Sequence, residues 1–130
     1  MPCCIPRSTR LWLAGGLLFS AGLLVGQRTV TPQKTLVHAF AFQLQEGAGE
    51  PQVQQVWAET RKMAAAIPGI RNVWMGKVTN RKEYQYGVVM EFENQAALKT
   101  YAGHPAHKAW EQVYSKVRVE GSNTLDIQGE

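Results

Sequence analysis

"LVHAFAFQL", residues 36–44, alternates with period two and is apolar on both sides. Leu36, His38, Phe40, Phe42 and Leu44 share one face, and Val37, Ala39, Ala41 and Gln43 share the other. Successive side chains of a strand point to opposite faces, so a strand of this composition needs cover above and below. "GAGE" (47–50) reads as a loop. Pro51 then opens a helix to about Ala66, whose inner stripe is Val53, Val56, Trp57, Thr60, Met63, Ala64 and Ile67. "IPGI" (67–70) stops it, because Pro68 removes a donor and Gly69 permits the turn. "RNVWMGKVT" (71–79) and "EYQYGVVMEFE" (83–93) follow as two strands joined by a short basic turn. In the second, Tyr84, Tyr86, Val88, Met90 and Phe92 oppose Gln85, Gly87, Val89, Glu91 and Glu93.

Asn94 suits the N-cap of the short helix "QAALKTYAG" (95–103). Pro105 sits where a first helical residue is favoured, so a second helix starts at His104 and runs to about Val117, with Ala106, Trp110, Val113 and Val117 facing inward and His107 and Tyr114 beside them. "RVEGSNTLDIQ" (118–128) supplies a last strand, weakened in the middle by "GSN". The order strand, helix, two strands, helix pair, strand predicts an α+β, ferredoxin-like βαββαβ protomer: a four-stranded antiparallel sheet with helices on one face. The other face, small and apolar at Ala39, Ala41, Gly87 and Val89, then needs a cover. A second copy packed sheet on sheet about a two-fold axis, a homodimer, is the economical one.

Ahead of this domain the sequence changes character. Residues 11–26, "LWLAGGLLFSAGLLVG", carry no charge and follow Arg7 and Arg10, the order of a secretory signal or signal anchor. Sixteen helical residues reach only ~24 Å against a bilayer core of ~30 Å, and no small-x-small triplet follows Val25. Residues 1–27 therefore read as either a signal peptide or an N-terminal membrane anchor, with residues 28–35 as a linker to the domain of residues 36–128. On this reading the protein is exported, to the periplasm or the extracellular space, or is anchored to the membrane by that segment alone. Cys3 and Cys4 precede the apolar run and the domain has no cysteine, so no disulfide framework supports it. Of the 14 Lys and Arg, 12 remain after Arg7 and Arg10 against 10 Asp and Glu, a scattered net of +2 that points away from nucleic acid.

The strand "VHAFAF", then "IPGIRNVWMGK", "YGVVMEFENQAALKTYAGHPAHKAW" and the final "LDIQ" resemble the stress-responsive α/β-barrel (Dabb) family over residues 36–128. The most specific element is "YAGHPAH" after "FENQAALKT". The resemblance implies a dimeric α+β barrel of two ferredoxin-like protomers and a family of mixed function, whose plant polyketide cyclases are its best-defined enzymes. In those cyclases the tyrosine and second histidine of the motif are the acid/base pair, which matches Tyr101 and His107. The resemblance also implies a substrate pocket between sheet and helices, at positions matching His38, Phe40, Phe42, Trp57, Val88 and Trp110.

Physical chemistry allows the same pair. In the first turn of its helix, His107 meets a dipole that disfavours imidazolium, and a neutral imidazole can act as general base. Tyr101 across the turn offers a hydroxyl to a carbonyl or enolate oxygen. The alternatives are that both residues are core groups with backbone partners, and that the domain binds a small apolar molecule without transforming it. His104 and His107 at i, i+3, completed by His38, would make a metal site, but the sequence places no Asp, Glu or Cys beside them, so neither a metal nor another cofactor is expected.

Overall fold

The computed structural model describes residues 33–121 and 123–130; the apolar run of residues 11–26 and most of the linker lie outside them. Seven elements follow in chain order: β1 (Leu36–Phe42), α1 (Glu50–Ala66), β2 (Ile70–Lys77), β3 (Tyr86–Phe92), α2 (Gln95–Gly103), α3 (Pro105–Tyr114) and β4 (Asn123–Gln128). The sheet order is β2-β3-β1-β4, and every neighbouring pair is antiparallel. β3 thus lies between β1 and β2, the split βαβ arrangement of a ferredoxin-like fold.

Strand alternation decides what each side of the sheet meets. Leu36, Phe40, Phe42, Tyr86, Val88, Met90 and Phe92 are buried, and α1 covers them with Val53, Val56, Trp57, Thr60 and Met63, with Ile67 buried at its C-cap. Each of these α1 residues belongs to the expected stripe. On the opposite face, Trp74, Val89, Ala39 and Leu125 form one row of paired residues across all four strands.

Caps and turns set where the elements begin and end. The Gly49 N–H donates to Gln52 Oε1 at 3.0 Å, and the Gly49 carbonyl accepts from the N–H groups of Gln52 and Val53, so α1 starts one residue ahead of Pro51. Gly69 turns the chain at φ +89°, and its carbonyl accepts from the Glu93 N–H, tying the turn to the end of β3. The basic loop is longer than the sequence suggested. β3 begins at Tyr86 rather than Glu83, and the loop ahead of it is closed by the Val78 N–H donating to the Gln85 carbonyl. The last strand splits where "GSN" weakens it: Arg118 makes an isolated bridge with Leu44, Gly121 adopts φ +95°, and β4 proper starts at Asn123. α3 is also shorter than expected and ends at Tyr114, but Val117 in the following turn still packs into the core.

Candidate active site

The turn between α2 and α3 is the foundation of the site. Asn94 Oδ1 accepts from the Ala97 N–H and starts α2. His104 then ends one helix and begins the next: its N–H donates to the Tyr101 carbonyl at 3.1 Å, and its Nδ1 accepts from the Ala106 N–H at 3.1 Å. Pro105 follows as the first residue of α3, where a missing donor costs nothing. The His-x-x-His spacing is therefore a capping histidine followed by an inward one.

Tyr101 and His107 meet across this turn with ring centroids 4.2 Å apart. His107 Nδ1 is buried and has no hydrogen-bond partner. Burial pulls the His107 pKa below the usual histidine value and nearby His38 adds to the effect, whereas Glu111 and the Ala102 carbonyl work against it. Burial likewise pushes the Tyr101 hydroxyl well above the ordinary phenol range, with Glu111 and Tyr114 acting in the same direction. At neutral pH the pair is thus a neutral imidazole beside a protonated phenol, one group able to take a proton and the other to donate a hydrogen bond.

A cavity of about 350 Å³ opens beside this pair, between one end of the sheet and α2 and α3. His38, Phe40, Tyr101, His107 and Trp110 contribute to its wall. Along α3 the rings form a stack: His107 on Trp110 at 5.6 Å and 25°, then Trp110 on Tyr114 at 4.6 Å and 15°. Trp110 is fixed from behind, its Nε1–H donating to Thr60 Oγ1 at 2.8 Å. His38 projects from β1, with its ring 5.8 Å from Tyr101. Its Nδ1 lies 2.5 Å from Asp126 Oδ1 on β4, where the two residues are direct cross-strand partners. An ionised Asp126 can only accept, so His38 Nδ1 donates to it and Nε2 is left as the free ring nitrogen.

Of the expected lining residues, His38, Phe40 and Trp110 reach the cavity, whereas Phe42, Trp57 and Val88 do not. Those three lie buried in the core. Phe42 meets Tyr114 at 5.1 Å, Tyr86 at 6.0 Å and Trp57 at 6.2 Å, and this aromatic cluster fills the layer where a longer pocket would run. The expectation that no acidic residue stands near the histidines is also corrected. Asp126 pairs with His38, and Glu111 lines the same cavity. Glu111 stands four residues after His107, a helical spacing visible in the sequence. Asp126 is 88 positions from His38, and only strand register joins them. Among the described residues, no three His, Cys, Asp or Glu side chains come together as a metal-binding group. A larger depression of about 580 Å³ lies along the β2–β3 loop, lined by Lys77, Arg81, Lys82 and by Tyr86, whose hydroxyl donates to Glu50 at 2.9 Å.

The sequence model for the stress responsive A/B barrel domain matches residues 36–122. No curated protein matches the sequence. Solved structures do resemble the fold. A Dabb family protein with a ferredoxin-like fold from Mesorhizobium loti is 24% identical, at a TM-score of 0.62 over 73% of this chain and 96% of that one. A dimeric ferredoxin-like protein of unknown function from Thermobifida fusca is 21% identical, at 0.64 over 74% of this chain and 92% of that one. The hydroxynitrile lyase from Passiflora edulis is 12% identical, at 0.66 over 75% and 94%. With the family match spanning most of the chain and the fold agreeing, the protein is a member of the stress responsive A/B barrel domain (Dabb) family.

Proposed function

We propose that this protein is an acid/base enzyme that enolises a small, largely apolar carbonyl compound. His107 removes the proton from the carbon beside the carbonyl, and the Tyr101 hydroxyl holds the oxygen that becomes negative. The observation that carries this reading is the 4.2 Å approach of the two rings at the wall of one cavity. A neutral base and a donor kept protonated by burial are the protonation states such a reaction needs at neutral pH. That a similarly folded protein is a hydroxynitrile lyase supports placing small-molecule chemistry on this scaffold.

The working form in this proposal is a homodimer joined through the outer sheet face. Trp74, Leu125 and Ile127 are each more than half exposed there. Val89 and Ala39 make a low floor between Trp74 and Leu125, a shape that a symmetry-related copy can fill. The similarly folded protein from Thermobifida fusca is dimeric, which supports this arrangement. Residues 1–27 would place the domain outside the cytoplasm or hold it at the membrane.

The test is proton exchange. The full chain is incubated with a panel of methyl ketones in deuterated buffer, and loss of the α-proton signal is followed by NMR. Wild type is expected to accelerate exchange, His107→Gln to lose about 10²-fold or more, and Tyr101→Phe to lose a similar factor. Ketones that bind without exchanging would make the domain a binding module instead.

A further inference from the structure

We infer that the ligand of this cavity carries a carboxylate, held by Arg118 at the end opposite the Tyr101–His107 pair; this rests on the proposed function and names the class of molecule it acts on. Residues 107, 110, 114 and 118 follow one another at helical spacing, and their side chains make a single row. Past the Trp110–Tyr114 stack, the Arg118 guanidinium lies over the Tyr114 ring at 5.0 Å. Arg118 lines the cavity together with Thr124, and it also borders the adjoining groove beside residues 45–46 and 115–120.

Its hydrogen-bonding state is what points to an anion. Nη1 donates to the Val119 carbonyl at 3.4 Å, while Nε is buried and has no partner. Among the described residues, no carboxylate lies within ion-pair distance of Arg118. The unused edge of the guanidinium, Nε and Nη2, has the fork geometry that takes both oxygens of a carboxylate. Arg118 is half-buried and its Nε donor is left without a protein partner, and the cavity it lines is the space where an anionic partner would sit.

The remaining charges fix the direction in which the ligand lies. Asp126 is engaged by His38, and Glu111 acts on Tyr101 and His107 at the other end. An anionic group is therefore repelled from the reactive pair and attracted to Arg118. Ring steps of 5.6, 4.6 and 5.0 Å separate the two ends, so a medium-length oxo acid fits with its carboxylate on Arg118 and its carbonyl at Tyr101.

The experiment compares octanoate with the neutral, isosteric octanamide by calorimetric titration of the full chain. Wild type is expected to prefer octanoate by about tenfold or more. Arg118→Gln should abolish that preference, and Arg118→Lys should keep part of it, since an ammonium retains the charge but not the fork. Equal affinities in wild type, or a preference that survives in Arg118→Gln, would overturn the carboxylate assignment and leave the cavity as a ligand site. Binding of neither probe would overturn both this assignment and the pocket reading beneath it.

Discussion

Thr60→Val removes one oxygen from the core and tests what holds the wall of the site. Thr60 Oγ1 donates to the Val56 carbonyl at 2.7 Å and accepts from Trp110 Nε1 at 2.8 Å. Thr60 is 0% exposed and Trp110 3% exposed, so water cannot replace the lost acceptor. Valine keeps the shape and leaves the indole N–H as an orphaned donor, at a cost of about 1–3 kcal/mol. Burying a methyl in place of a hydroxyl offsets part of this, giving a net loss of about 1–2 kcal/mol. With a urea dependence of about 1–1.5 kcal/mol per molar, the unfolding midpoint should fall by about 1 M. The same change in a Trp110→Phe background has no N–H to orphan, so there the cost should nearly vanish, and the double-mutant cycle isolates the bond from the change in packing. If Thr60→Val costs the same in both backgrounds, the Trp110–Thr60 bond contributes nothing and another contact fixes the indole.

Other perturbations address the charges, a turn and the outer face. Glu111 raises the His107 pKa, so Glu111→Gln should move the His107 titration, followed by the NMR signal of its ring protons, further toward acid. Since His107 titrates below the unfolded value of about 6.5, the unfolded chain binds more protons between the two pKa values; this contribution to stability is complete above about pH 6.5 and is lost as pH falls through the folded pKa. In His107→Gln, that part of the pH dependence in urea unfolding should disappear. Gly69→Ala should destabilise well beyond the ~1 kcal/mol of left-handed backbone strain, because its Cβ would stand 2.5 Å from Ala97 Cβ, whereas Gly47→Ala at φ +82° meets nothing within 4 Å and should cost only the strain. Thermal unfolding of the two variants compares them directly. Trp74→Asp and Leu125→Asp each place a charge on the outer sheet face, and sedimentation should show either variant shifted from dimer toward monomer.

What could be read from the sequence was whatever depends on local period. The alternation in β1 and β3, the α1 stripe and the His104-Pro105 helix start each rest on a few neighbouring residues, and all are found as expected. What could not be read depends on how far a face extends and on which strands meet. Phe42 and Val88 share the inner face with His38 and Phe40, and no period distinguishes the part of that face that packs from the part that borders a cavity. The difference comes from the Phe42, Trp57, Tyr86 and Tyr114 rings, brought together from four elements. Asp126 was hidden for the same reason, since its role depends on the β1–β4 register.

The row of residues 107, 110, 114 and 118 shows how one inward stripe can serve both packing and recognition. At the stripe's centre, Trp110 and Tyr114 are buried and lie against Phe40 at 5.8 and 5.4 Å, so a side chain lost there costs core packing. At its two ends His107 Nδ1 and Arg118 Nε are buried but unsatisfied, an arrangement that adds nothing to folding. Two unsatisfied nitrogens therefore stand at opposite ends of one cavity, where the proposed ligand would present its acidic carbon to His107 and its anion to Arg118. On this argument, replacing both residues by apolar ones of similar volume, His107→Leu with Arg118→Met, should leave stability unchanged or raise it while removing octanoate binding. A large loss of stability would show instead that these groups serve the fold.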